Sequence, residues 1–172
     1  MQRRVSPTLA QTPRLGMLAF CLLALTASSS ACTRPVDLKL ALQVTDVSTG
    51  WFDAGIVNGK NKLVPSVTFR LKNTTGSDIS SMAINVVFSR EGETDHWDDV
   101  FVQRIVFGND GQTAPITVRT ENGYTGDPPQ TRLAMLQHTD FRDMDIQIFG
   151  KQGGSQWIEL HRARIARQLL TK

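Results

Sequence analysis

At 172 residues the chain is long enough for one domain and a leader, and too short for two comfortable cores. Its formal charge of +3 comes from the first residues: three of the 19 basic residues (Arg3, Arg4, Arg14) precede Cys32, none of the 16 acidic ones does, and the remainder carries 16 of each. A formally neutral remainder excludes the general basic stripe that nucleic-acid binding requires.

In chain order, the three arginines lead into an apolar run from Leu15 to Ala27 and then into Ser28-Ser29-Ser30-Ala31. Positive, apolar and small-residue regions in that order predict an export signal over residues 1–31. The apolar run is shorter than the ~20 residues a membrane-spanning helix needs. Ser29-Ser30-Ala31-Cys32 resembles the lipobox of bacterial lipoproteins, in which small residues precede an acylated cysteine. Ordinary signal cleavage after Ala31 would cut the same bond and leave Cys32 a free thiol. The other cysteine, Cys21, lies inside the leader, so an unmodified Cys32 would be an odd thiol in an oxidising compartment. Acylation of Cys32 is therefore expected, with a membrane partner through the lipid. The resemblance to Gram-negative lipoproteins further implies sorting to the periplasmic face of the outer membrane, because Thr33 stands where Asp signals retention.

Residues 32–37 then read as a short tether and residues 38–172 as a single domain. Leu38, Leu40, Leu42 and Val44 alternate with Lys39, Gln43 and Thr45; Val67, Phe69 and Leu71 with Thr68, Arg70 and Lys72; and Met82, Ile84, Val86 and Phe88 with Ala83, Asn85 and Ser89. Ile116 and Val118 repeat the pattern, and so do Met144, Ile146 and Ile148. Period two is the signature of half-buried strands. Val100 to Phe107 and Gln156 to Ile165 add two less regular candidates; one reading points Ile158 and Leu160 inward and Glu159 and His161 outward. Turn residues stand between many of these segments, at Asn73-Thr74-Thr75-Gly76, Asn109-Asp110-Gly111 and Gln152-Gly153-Gly154. Arg132 to Gln137 predicts one short helical turn. About seven antiparallel strands imply an all-β, immunoglobulin-like sandwich.

Val67 to Val118 resembles the FxLYD-type immunoglobulin-like domains of bacterial lipoproteins. The shared features are a strand ending in Lys72-Asn73-Thr74, a strand through Asn85-Val86-Val87-Phe88, and a Gly111-Gln112 turn before Ile116-Thr117-Val118. The resemblance implies a binding or spacer module without catalysis.

The residues point the same way. The sequence contains no Gly-x-Ser-x-Gly elbow, His-Glu-x-x-His, Cys-x-x-Cys or P-loop, and His96, His138 and His161 are scattered. No catalytic residue, cofactor or metal is expected. Glu91, Glu93, Asp95, His96, Asp98 and Asp99 lack calcium-loop spacing and read as a solvated acidic loop. Arg162, Arg164, Arg167 and Lys172 read as the polar face of the last strand or as partners of that loop, with contact to anionic lipid head groups the alternative.

Aromatic residues are the stronger signal. Trp51-Phe52, Trp97 and Tyr124 fall in segments predicted as loops: Val47 to Leu63, Glu91 to Asp99 and Glu121 to Phe141. If seven strands alternate in direction, these three connections share one end of the sandwich and the short turns share the other. Loops on a rigid scaffold commonly carry binding, and Trp and Tyr are favoured anchors. Trp51, Phe52, Trp97 and Tyr124 are therefore the candidate partner-binding residues, with core packing of Trp51 and Phe52 the equal alternative. The chain reads as an envelope lipoprotein whose domain binds a protein or glycan partner of the envelope. The alternative is a spacer without a ligand pocket; an enzyme is a distant third.

Overall fold

The computed structural model describes residues 36–170. The export signal, Cys32 and the first part of the tether lie outside the described residues. Asp37 opens the first element: its carboxylate accepts the Lys39 N–H at 3.0 Å and caps α1 (Leu38–Ala41). Leu38 and Ala41, one helical turn apart, are buried; Leu40 is exposed. The predicted strand alternation therefore gives way to a helical turn before Leu42, because an N-capping Asp satisfies the first amides locally.

β1 (Leu42–Val57) and β2 (Lys60–Asn73) form one long antiparallel hairpin. Val57 pairs with Lys60 across the two-residue turn Asn58-Gly59, whose φ values are 52° and 79°. Asn-Gly is the favoured pair for a turn with two positive φ angles. Val47 to Leu63 is thus two strand arms and not the loop expected from the sequence. Two features hide this in the pattern. A register shift between Thr45 and Ser48 interrupts the alternation. Gly50, which resembles a turn residue, lies mid-strand, where a Cβ would come within 2.7 Å of the Leu170 side chain.

The remaining elements are β3 (Met82–Arg90), β4 (His96–Ile105), β5 (Ile116–Arg119), β6 (Tyr124–Gly126), α2 (Arg132–Leu136), β7 (Met144–Gln152), β8 (Ile158–Arg164) and β9 (Leu169–Leu170). One sheet runs β5-β2-β1-β9, with β6 also on β2; the other runs β4-β3-β7-β8. All pairings are antiparallel except β1 with β9, where Trp51 pairs with Leu169. The chain crosses between sheets after β2, β4, α2 and β8, which is the Greek-key connectivity of an immunoglobulin-like sandwich. The all-β sandwich is as expected; the strands among the described residues number nine.

Inward residues of both sheets form the core. Phe69, Leu71 and Val67 of β2 meet Ile84, Val86 and Phe88 of β3 and Met144, Ile146 and Ile148 of β7, all buried. At β8 a bulge between the Ile148 and Phe149 pairings places His161 opposite buried Ile148, and Glu159 opposite Phe149. Glu159 faces outward as expected, bonded by Gln147 and Arg162, and the Arg162 hydrogen bond holds its carboxyl below the usual carboxylate range. His161 does not face outward as expected; the extra residue of the bulge turns it toward the Ile148 side.

The short turns and α1 share one end. The Asn73 N–H donates to the Gly111 carbonyl at 2.8 Å, the Thr74 hydroxyl to the Leu40 carbonyl at 3.2 Å, and the Gly153 N–H to the Ser81 carbonyl at 3.0 Å. α1 also packs on β7 and β8 there. No helix among the described residues is long and apolar enough to cross a membrane.

Candidate functional site: an aromatic cluster and cleft

Four aromatic rings from four segments converge at the end away from α1. Trp51 is in β1, Trp97 in β4, Tyr124 opens β6, and Phe141 precedes β7. Ring centroids are 5.5 Å apart for Trp51 and Tyr124, 4.7 Å for Trp51 and Phe141, 4.6 Å for Tyr124 and Phe141, and 5.8 Å for Trp97 and Tyr124. Tilted and edge-on rings at these separations add to simple area burial. The Arg90 guanidinium carbon stands 5.3 Å from the Trp97 ring, and the same group approaches Tyr124.

The sequence-predicted residues divide at this cluster. Trp97 and Tyr124 are half-buried and sit in it. Trp51 is also in it but has no exposed surface, so it is a core residue and not an exposed anchor. Its position explains this: it points inward from a central strand flanked by β2 and β9. Phe52, the next residue on the same strand, points to the opposite face. It pairs with Val64, and the Arg119 guanidinium carbon lies 3.6 Å from its ring centre, so it is outside the cluster.

Between the cluster and α2 lies a cleft of about 230 Å³. Tyr124 and Phe141 give it an aromatic wall, Met135 an apolar floor, and Gln130, His138 and Asp140 a polar rim. Thr131 accepts the Ala134 N–H at 3.1 Å and caps α2, the short helix expected at Arg132 to Gln137. Its buried face, Met135 and Leu136, seats it against the sandwich. The Tyr124 hydroxyl donates to the Arg142 carbonyl at 3.4 Å and accepts the Arg142 N–H at 3.3 Å, which ties the wall to the loop before β7. Phe141, His138 and Gln130 had no signal as site residues, and Met135 was marked only as part of a short helical turn; topology alone folds this segment back onto Tyr124.

Arg167 fastens the same loop from behind. It bonds the Asp143 carboxylate and the carbonyls of Leu136 and Phe141, the Asp143 bond being the main cause that raises its pKa above the ordinary arginine value. Arg164 bonds Glu91 and lies 3.5 Å from Asp145. Arg164, at the end of β8, and Arg167, between β8 and β9, thus reach acids at this end. Their partners are Glu91, Asp143 and Asp145; Asp95, Asp98 and Asp99 are not among them.

The predicted acidic loop is shorter than expected, because His96 to Asp99 belong to β4. Asp98 accepts the Asn122 side-chain amide at 3.1 Å. Among the described residues no group of three His, Cys, Asp or Glu is placed to hold a metal ion. The cluster and cleft offer apolar contact, ring stacking and a few hydrogen bonds, which is the chemistry of binding.

No model of a known protein family matches this chain, and no curated protein matches it significantly.

Proposed function

We propose that this chain is an envelope lipoprotein, acylated at Cys32 and held at the outer membrane, whose sandwich binds a protein or glycan partner of the envelope. The observation that carries the reading is the cleft beside Tyr124, at the end opposite α1, where the chain enters the domain. Its size suits one sugar ring or one large side chain, with Tyr124 and Phe141 for stacking and His138, Asp140 and Gln130 for orientation. Trp97 extends the aromatic surface beside it. The reading assigns no catalysis, cofactor or nucleic acid to the chain. The family it fits is the FxLYD-type lipoprotein domain suggested by Val67 to Val118.

The second reading, a spacer without a ligand, draws on the full burial of Trp51: part of the aromatic cluster is core packing. One experiment separates the two. A photo-crosslinking residue is placed at Trp97 or His138 in the tethered protein, with Gly76 at the other end as control, and binding to isolated cell-wall sacculi is measured in parallel. Binding predicts adducts or sacculus retention that depend on Tyr124 and are absent from the control. Identical behaviour at both ends, with no retention, supports the spacer. Intact-mass analysis of the mature protein tests the anchor; an unmodified Cys32 would remove it.

A further inference from the structure

The two most exposed large apolar side chains among the described residues are Val106, at 76%, and Leu40, at 75%. Scattered apolar residues are ordinary on a protein surface. What distinguishes this pair is its position. The Leu40 carbonyl accepts the Thr74 hydroxyl, and Val106 borders a recess lined by Asn73 and Gly111. Both therefore lie at the short-turn end, where the chain enters the fold. Only residues 33–35 separate Cys32 from Val36, a span of at most ~15 Å. An acyl chain on Cys32 would hold this end against a bilayer on so short a tether.

Exposed Lys39, Lys72 and Arg104 belong to the same end, and among the described residues none has a carboxylate within ion-pair distance. Asp37 and Asp110 are exposed acids at the same end, and accepting the backbone N–H of Lys39 and of Gln112 leaves both charged. Asp78 is a third exposed acid on this rim, so the three cations are matched in number and the apolar pair carries the contact. Long cationic side chains beside apolar ones suit an interface, because their stems bury while their heads reach the phosphates.

We propose that this end is a lipid-contact surface, with Leu40 and Val106 seated among the head groups of a bilayer and the heads of the three cations reaching lipid phosphates. The inference rests on acylation of Cys32. Alone the contact is weak; the anchor makes it effectively intramolecular, so even a weak contact is populated. It fixes the orientation of the domain and presents the Tyr124 cleft away from the membrane.

The test uses the mature, membrane-extracted protein in vesicles of phosphatidylethanolamine and phosphatidylglycerol. A nitroxide is attached at Val106→Cys or, at the other end, at Asn58→Cys, and its collisions with oxygen and with an aqueous nickel chelate are measured. The expected result is an oxygen-to-nickel ratio several-fold higher at Val106→Cys than at Asn58→Cys. Equal ratios on vesicles that float with bound protein overturn the contact surface and leave the anchor standing. Protein that fails to float removes the anchor, and the contact surface with it.

Discussion

The guanidinium carbon of Arg167 lies 5.1 Å from the centre of the Phe141 ring, while the same group bonds the Phe141 carbonyl. One side chain thus holds both the ring and the backbone of the cleft wall, and Asp143 holds the side chain in turn. Arg167→Ala is expected to cost about 1 kcal/mol, because the group is partly exposed and screened by salt. The larger effect is local: amide exchange at 138–143 should rise while the β3 and β7 amides stay protected. Arg167→Lys keeps the charge but lacks the fork, and should restore stability better than loop protection. Uniform exchange changes across the domain would argue against a local clamp.

Trp51 supplies a second expectation. Its indole N–H is buried with no hydrogen-bond partner among the described residues. Trp51→Phe removes an unsatisfied donor along with some volume, and the two effects offset each other. Trp51→Ala opens a cavity and is expected to cost about 3–5 kcal/mol. Urea denaturation of the two variants should separate them widely. Near-equal losses would mean that the indole N–H is bonded in solution.

Phe69 and Thr68 test the register of β2. Phe69 has no exposed surface, and Thr68 lies on the other face, where its hydroxyl meets that of Thr117 at 2.9 Å. Phe69→Ala is expected to cost about 3–5 kcal/mol and Thr68→Ala about 1 kcal/mol or less. Similar losses in melting temperature would place the strand in the wrong register.

Those two residues show what was legible. Wherever one face of a strand is buried and the other wet, as over Val67 to Leu71 of β2 and in β7, alternation gives both element and orientation. The pattern failed where local geometry broke the period. The register shift after Thr45, with Asp46 at a φ of 53°, displaced the alternation and made β1 look finished at Asp46, eleven residues early. Asn58-Gly59 marked the true turn, but Asp46, Gly50 and Gly55 resemble turn residues and masked the first arm. Leu38 and Leu40 alternate like a strand because a four-residue helix is too short to display its own period. The cleft was legible only in part: strand parity brought Trp97 and Tyr124 together, whereas Phe141 and Met135 arrive through long-range packing that leaves no local signature.

Gly123 tests whether Tyr124 owes its place to β6. A Cβ at Gly123 would lie 2.3 Å from the Leu63 carbonyl oxygen and 2.8 Å from Val64 Cγ1. The first contact is backbone and cannot rotate away, so β6 must move off β2, breaking the pairing of Leu63 with Tyr124. Tyr124 would then leave Trp51, Phe141 and the Arg142 backbone together. Gly123→Ala is expected to cost about 1–3 kcal/mol and to abolish any binding at the cleft. Gly154 is the control: it is exposed, and a Cβ there meets nothing within 4 Å. Gly154→Ala should stay within about 0.5 kcal/mol of the parent. Thermal melts give the stability difference, and near-ultraviolet circular dichroism reports the aromatic cluster directly. A cluster signal unchanged in Gly123→Ala would show that Tyr124 is held by its ring contacts and not by the strand, and the cleft would then be independent of β6.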